Sequence, residues 1–391
     1  MESLNIAFYT DTYLPSMDGV VTSTLNFKEE LERRGHKVYV FATGDMKSAR
    51  KFAKKDVFVY PGMEFKPYPQ YNVALFPYNS LFKLSELGID LIHVQTPMVM
   101  GFAGMMAAKM LRIPIVGSFH TLVTNRPIVD AYYPKNRHLK RLAKASMLKY
   151  LKFFYNRCDA VIAPTDTVKR MLNRSGIDDV HVVPNSVDTS LLRPGPSPKA
   201  LRRSLGVQKD GKEILYLGRL SREKKIEVLL RAAKSLMEKD DGIRLVIGGT
   251  GPAEHHYKAM AKELGIMQNT TFTGFVEKSM LHKMYLSADA VCLPSTFETQ
   301  GIVVLEAMAC GKPVVGADYL AIKEIIVNGR NGERFRPGDY TSCAKKIEKV
   351  LKSSDDYKDS AVETARAFSK ERATDRLLDV YSLVLSKKAI Y

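Results

Sequence analysis

Short, unbroken apolar runs alternate with longer helical or loop segments, and this alternation occurs twice along the 391-residue chain. In the first half the runs cover residues 5–9, 37–42, 90–94, 114–119 and 159–163. In the second they cover 213–217, 244–247, 270–275, 289–293 and 313–315. Continuous Val/Ile/Leu runs without polar alternation fit strands buried on both faces, which is the situation of parallel sheets flanked by helices. Strand and helix in strict succession predict the α/β class. Two such series predict two Rossmann-like domains, in keeping with a length beyond one typical core. The seam is expected near Pro184-Asn185-Ser186-Val187-Asp188 and Pro194-Gly195-Pro196-Ser197-Pro198, where turn formers and prolines punctuate the pattern. At the other end, residues 372–388 place Leu377, Leu378, Tyr381, Val384 and Leu385 on one helical stripe.

Composition narrows the function classes. The longest uncharged apolar run, 97–108, is too short for a membrane span and ends at Lys109. Met1-Glu2-Ser3-Leu4-Asn5 puts no basic segment ahead of an apolar core, so no signal peptide is expected. Cys158, Cys292, Cys310 and Cys343 are widely spaced and read as reduced cytosolic thiols, favouring neither a disulfide framework nor a zinc site. A formal charge of +17 invites an anionic partner, either nucleic acid or an anionic membrane.

The densest chemical signal is Ser295-Thr296-Phe297-Glu298-Thr299-Gln300-Gly301-Ile302-Val303-Val304-Leu305-Glu306-Ala307-Met308-Ala309. A glutamate follows a strand-like run, a glycine opens a helix, and a second glutamate lies eight positions after the first. If most of the segment is helical, the two carboxylates stand roughly 12 Å apart, about the reach from the hexose to the ribose of one nucleotide sugar. Between them, unpaired N–H groups and the positive end of the helix dipole would face a diphosphate. The plainer alternative makes Glu298 a cap and Glu306 one more solvated charge. Against it, Glu306 is embedded in apolar residues of a helix that belongs inside the protein. A buried carboxylate needs a partner, since burying it unpaired costs several kcal/mol, and sugar hydroxyls are suitable.

This segment, continuing through Cys310-Gly311-Lys312-Pro313-Val314-Val315, resembles the donor-site signature of family 4 retaining glycosyltransferases with the GT-B fold. The resemblance implies two Rossmann-like domains facing a central cleft. Residues 1–185 would bind the acceptor, with the C-terminal helix (370–391) packed back onto them, and 186–369 would bind the nucleotide sugar. It further implies that Glu298 orients the hexose, that Glu306 holds the ribose, and that Thr299, Gln300, Gly301, Ile302 and Val303 line the donor between them. Gly218-Arg219-Leu220-Ser221-Arg222-Glu223-Lys224-Lys225 matches the family's Gly-Arg-Leu-x-x-Glu-Lys pattern. Most such basic turns are merely solvated. Cations fixed beside a departing diphosphate, however, stabilise the transition state more than the ground state, so the resemblance assigns Arg219 and Lys224 to the pyrophosphate. Gly19, in Pro15-Ser16-Met17-Asp18-Gly19, coincides with the family's N-terminal glycine loop, and His120, in Gly117-Ser118-Phe119-His120, with its strand-end histidine that touches the transferred sugar. Gly274, Phe275 and Val276 fall where the family reads the nucleobase. Gly248-Gly249-Thr250-Gly251-Pro252 reads as a turn, and His93 as structural. No Asp-x-Asp motif occurs, and Arg219, Lys224 and the helix start supply the positive charge a metal would bring; metal-independent chemistry with no cofactor beyond the donor is expected.

From Ala131 to Cys158 there are eight Lys or Arg and no acidic residue. On a helical projection Leu139, Leu142, Ala143, Met147, Tyr150, Phe153 and Phe154 share one face, with Arg137, Lys140, Arg141, Lys144 and Lys152 opposite and Leu148 and Leu151 breaking the polar side. Such a segment either packs by its apolar stripe or lies on an anionic leaflet, each basic residue contributing about 1 kcal/mol there. An aromatic and proline-rich loop, Phe65-Lys66-Pro67-Tyr68-Pro69-Gln70-Tyr71 with Phe76-Pro77-Tyr78, either receives an acceptor or packs on its own rings. Glu298-Thr299-Gln300-Gly301, Ile92-His93-Val94-Gln95-Thr96-Pro97 and Ser118-Phe119-His120-Thr121 are similar to diacylglycerol glucosyltransferases and related glycolipid enzymes; the similarity lapses at Leu122-Val123-Thr124-Asn125-Arg126. The expectation is a retaining transfer of glucose from a UDP donor to a lipid or lipid-linked hydroxyl, by an enzyme peripheral on the cytoplasmic face of the cell membrane, with no nucleic-acid partner. Three alternatives stay open. One is a transferase using GDP-mannose or a soluble glycan or small-molecule acceptor, another a sugar-nucleotide epimerase, and the third a basic nucleic-acid-binding protein with steeply salt-dependent affinity.

Overall fold

The computed structural model describes residues 2–16, 18–45, 47, 51–64, 72–74, 80–120 and 136–389. The loop at 65–71 and 76–78, and residues 121–135, lie outside the described residues. The chain forms two units, one built from 1–186 with 370–391 and the other from 187–369.

In the first unit the strands are β1 (Asn5–Thr10), β2 (Lys37–Gly44), β3 (Val57–Glu64), β4 (Asn72–Ala74), β5 (Leu91–Val94), β6 (Ile115–Ser118), β7 (Ala160–Ala163) and β8 (Val180–Val182). They form one sheet in the order β4-β3-β2-β1-β5-β6-β7-β8, parallel except for the β3–β4 pair. The interior strands β1, β5, β6 and β7 are buried almost throughout, as their continuous apolar runs require. The C-terminal helix Lys370–Ala389 covers this sheet through Leu377, Tyr381 and Val384, which share a core with Ile6, Phe8 and Val116. A buried polar chain reinforces the contact: His93 on β5 bonds Tyr381 Oη at 2.6 Å and Ser118 Oγ on β6 at 2.7 Å. Burial pushes the His93 imidazole down to about 3, so it stays neutral and bridges two hydroxyls, a structural role.

The second unit holds β9 (Lys212–Leu217), β10 (Ile243–Gly248), β11 (Thr270–Gly274), β12 (Ala290–Leu293), β13 (Val314–Ala317) and β14 (Gly332–Phe335). Their order is β11-β10-β9-β12-β13-β14, all parallel. Helices Ile226–Met237 and Tyr340–Lys352 pack on this sheet and on each other. Four strands, β3, β4, β8 and β14, are absent from the sequence reading, and all lie at or next to a sheet edge. Pro61 lies within β3, and β14 carries Glu333, whose charge is met by Lys346 at 2.6 Å and by Lys349. Edge strands tolerate both features, and either one hides the apolar pattern.

At the amino end of β9 a carboxylate is sealed into the core. Glu213 is fully buried, accepts from Ser287 Oγ at 2.8 Å, and has its carboxyl pushed up to about 7, chiefly by burial. A carboxyl whose folded value exceeds its unfolded one weakens the fold progressively as pH rises from about 4.5 to 7 and by a constant amount above that. Glu213→Gln therefore raises the stability by less than about 1 kcal/mol at pH 5 and by up to roughly 3 kcal/mol at pH 8. Thermal unfolding of both proteins at the two pH values checks this, and an equal effect at both contradicts it.

Candidate active site

In an open parallel sheet, ligands bind beyond the carboxyl ends of the strands where the winding direction reverses. In the second unit that reversal falls between β9 and β12. The loop leaving β9 carries Gly218 to Lys225, and the loop leaving β12 carries Pro294 to Gly301. Across the gap Lys224 Nζ donates to Glu298 Oε1 at 2.8 Å, with both side chains mostly shielded from solvent. The residues expected to hold the diphosphate and the hexose thus stand as one ion pair. Arg219 is half-buried five residues before Lys224, and its backbone carbonyl accepts from Tyr216 Oη at 3.0 Å.

Backbone bonds fix the shape of this edge. Gly218 N donates to Gly248 O at 3.0 Å, Leu220 N to Thr250 O at 2.9 Å, and Gly249 N to Gly274 O at 2.7 Å. Gly249 adopts φ +127°, and a Cβ there would fall 2.0 Å from Gly218 O, so no side chain fits. The turn 248–252, read as ordinary from sequence, is thus the wedge that sets the loop after β9. Buried Glu223, quoted in the motif without a role, accepts from Ser221 Oγ at 2.6 Å beneath the turn Arg222–Lys224. Farther out on β11, Gly274 takes φ +72°, Phe275 is exposed, and Val276 packs on the core.

The segment joining the two glutamates is not helical throughout. Only Ile302–Ala309 is helical; Glu298 sits in the preceding loop, so helical rise does not set the Glu298–Glu306 separation. Gly301 makes the bend with φ +86°, and a Cβ there would meet Ile322 Cδ1 at 2.6 Å. Thr299 is half-buried, Gln300 fully buried, and Ile302 and Val303 half-buried at the first turn. Glu306 also differs from expectation, because it already has a protein partner: Tyr285 Oη, on helix Lys278–Ser287, donates to it at 2.6 Å. Sequence alone conceals Tyr285, which looks like one more core aromatic. Burial raises the Glu306 carboxyl above its ordinary range, while the Tyr285 bond and then Lys278 work against that rise.

In the first unit the winding reverses between β1 and β5. Buried Asp11, just past β1, accepts from Thr96 Oγ1 at 2.6 Å and from Met100 N at 2.8 Å, tying β1 to the start of helix Val99–Leu111. Burial lifts its carboxyl to about 6. His120 follows β6, and its Nε2 donates to Gln95 Oε1 at 3.1 Å. Burial drives the His120 imidazole down to about 4, so it is neutral at physiological pH. Gly19 is exposed and opens helix Gly19–Arg33, whose first turn is capped by Asp18 Oδ1 accepting from Val20 N and Val21 N at 2.9 Å each.

Two α/β units each bring polar residues to a winding reversal, the place where open parallel sheets bind their ligands. Family models identify the class: Glycosyltransferase Family 4 matches residues 17–191, and Glycosyl transferases group 1 matches residues 198–369. The chain belongs to the family 4 glycosyltransferases and is a hexosyltransferase of the GT-B fold. Alpha-monoglucosyldiacylglycerol synthase of Streptococcus pneumoniae is 29% identical over 388 residues, covering 97% of this chain and 85% of the relative. GDP-mannose-dependent alpha-mannosyltransferase of Corynebacterium glutamicum is 32% identical, covering 84% and 76%. Among solved structures, Anabaena HepE in complex with UDP and glucose superposes with a TM-score of 0.78 at 21% identity, covering 97% of this chain and 99% of that one. At that identity the likeness speaks for the fold alone.

Two outcomes follow from the geometry. Lys224→Ala lowers turnover about a hundredfold or more while leaving the unfolding midpoint within a few degrees; unchanged turnover in a folded variant removes Lys224 from the machinery. Tyr285→Phe takes away the bond that favours the Glu306 carboxylate, so that carboxyl rises further. If Glu306 holds the nucleotide of the donor, nucleotide affinity measured calorimetrically across pH is then lost on acidification at a higher pH than in the wild type, and coincident pH profiles exclude that role.

Proposed function

We propose that this protein is a retaining glycosyltransferase that moves glucose from UDP-glucose to a lipid or lipid-linked hydroxyl at the surface of an anionic membrane, on its cytoplasmic face. The observation that carries the donor half is the Lys224–Glu298 pair astride the β9/β12 reversal. In this reading the donor diphosphate draws Lys224, together with Arg219, away from Glu298. Glu298 is then free to accept from hexose hydroxyls, and charge that develops on the leaving diphosphate meets two preorganised cations. Glu306, steadied by Tyr285, accepts from the ribose, and the backbone of 274–276 lies alongside the base. Thr299 to Val303 line the donor at the helix start. His120, neutral and bonded to Gln95, steadies the transferred sugar, and Gly19 allows close backbone approach. In a front-face retaining mechanism the leaving phosphate itself takes the acceptor proton, so no protein base is required. The charge that a metal would bring comes from the cations and the helix start.

Support for a lipid acceptor comes from helix Arg137–Tyr155. Only Leu151, Phe154 and Tyr155 of it are buried, so the expected apolar stripe does not pack along its length. Leu139 and Leu142 are 54% and 65% exposed on a helix without an acidic residue, the arrangement of an interfacial segment. Residues 131–135 of the basic segment lie outside the described residues. Similarity to a monoglucosyldiacylglycerol synthase points the same way. A second donor reading, GDP-mannose, is favoured by the mannosyltransferase relative.

A panel of UDP- and GDP-hexoses, offered with and without anionic vesicles containing diacylglycerol, separates these readings. A glucosylated lipid formed only from UDP-glucose and only with vesicles is the expected result. A mannosyl product from GDP-mannose selects the second donor. Nucleotide release without a lipid product sends the acceptor to soluble glycans, and donor conversion without any acceptor selects an epimerase.

A further inference from the structure

The apolar run 97–108, too short to cross a membrane, has a place in the structure that the donor chemistry leaves unused. It forms most of helix Val99–Leu111, between the β5 and β6 strands of the first unit. One side of that helix packs inward through Met100, Met105, Ala107 and Ala108, and Gly104 lies so close to the Tyr9 ring that a Cβ would approach it to 2.8 Å. The other side carries Met98, Phe102, Met106 and Met110, exposed by 37%, 42%, 42% and 63%. Phe102, Met106 and Met110, at four-residue intervals, form one ridge along the helix, and Met98 stands at its N-cap. Lys109 and Arg112 are exposed at its end, and helix Ser80–Leu87, packed beside it, presents Phe82 at 73% exposure next to Lys83.

Single exposed apolar residues are ordinary, but an ordered ridge of four large ones is not. Its surroundings indicate what covers it. Between Leu91 and Cys158 the sequence holds eleven Lys or Arg against one acidic residue, Asp130. The basic helix Arg137–Tyr155 is tied to the start of the ridge, where Tyr150 Oη donates to Pro97 O at 2.5 Å. Glu86, exposed on helix Ser80–Leu87, pairs with Lys83 at 2.7 Å, whereas helices Val99–Leu111 and Arg137–Tyr155 carry no acidic residue. An apolar ridge flanked by an excess of cations matches the interface of an anionic bilayer, where methionine and phenylalanine side chains enter the acyl boundary while Lys and Arg stay with the headgroups.

We propose that the Met98–Phe102–Met106–Met110 ridge inserts into an anionic lipid leaflet as a second, apolar anchor beside the basic helix. This rests on the membrane reading given above and adds a distinct physical contribution to it. Attraction by the basic helix is screened by salt, whereas burial of the ridge is not. Membrane binding then has a salt-sensitive part owed to helix Arg137–Tyr155 and a salt-resistant part owed to helix Val99–Leu111.

The chain contains no tryptophan, so Phe102→Trp supplies a single fluorophore on the ridge, and Tyr340→Trp, on an exposed residue of the second unit, supplies a control. Each is titrated with phosphatidylglycerol vesicles with and without brominated acyl chains, at low and at high salt, alongside sedimentation of the wild type. The proposal expects a blue shift and bromine quenching at position 102 but not at 340. It also expects that the triple variant Phe102→Ser, Met106→Ser, Met110→Ser loses roughly tenfold in high-salt partitioning while keeping the wild-type unfolding midpoint. Wild type that sediments with vesicles while position 102 reports no change overturns the ridge and leaves the membrane reading standing. A blue shift that follows protein concentration without lipid overturns it in favour of a second copy of the chain. Failure of the wild type to sediment overturns the membrane reading and the ridge together.

Discussion

The reversal of winding in the second sheet is the constraint on which the site depends. Parallel strands that propagate outward in both directions from β9 and β12 leave their two carboxyl ends without a crossing connection between them. Two loops from distant parts of the sequence meet there, and the 2.8 Å Lys224–Glu298 contact spans 74 residues of chain. The remaining order at that edge serves this meeting. Gly249 clears the path of the first loop, buried Glu223 braces its turn, and Gly301 turns the second loop into the helix that carries Glu306.

The ion pair also shapes the chemistry proposed for it. A lysine and a glutamate held together, mostly out of water, lose much of their hydration before any ligand arrives. A diphosphate and a sugar can then exchange partners with them at lower desolvation cost than two separately hydrated charges would demand. Glu306 follows the same logic more deeply. It resides in an apolar helix and is kept competent as an acceptor by the Tyr285 hydroxyl.

Much of the fold is legible in the sequence because strands covered on both faces are apolar at nearly every position, as in β7 and β12, and β5 and β6 depart from this only at the bonded pair His93 and Ser118. β14 escapes that reading, since Gly332-Glu333-Arg334-Phe335 places a charge in the strand and recruits its neutralising lysines from helix Tyr340–Lys352. Within the candidate site, resemblance to a family motif singled out Arg219, Lys224, Glu298 and Glu306, and the structure brings Lys224 and Glu298 of that set into contact. Tyr285, Glu223 and the Gln95–His120 bond could not be read, because each partner comes from another element or is chemically unremarkable in sequence. The condition behind the Glu298–Glu306 estimate, a mostly helical segment, is not met: Gly301, in the left-handed region, ends the loop and starts the helix later than an unbroken helical segment would. For the basic segment, periodicity gave the amphipathic pattern, but only the fold shows that its first three turns are left uncovered.

The most direct test is an experimental structure with UDP bound. The account predicts the diphosphate within hydrogen-bond distance of Arg219 and Lys224, the Lys224–Glu298 contact lengthened, and the ribose hydroxyls on Glu306. A nucleotide seated away from the β9/β12 edge, with Lys224 and Glu298 still joined at about their present distance, would contradict it.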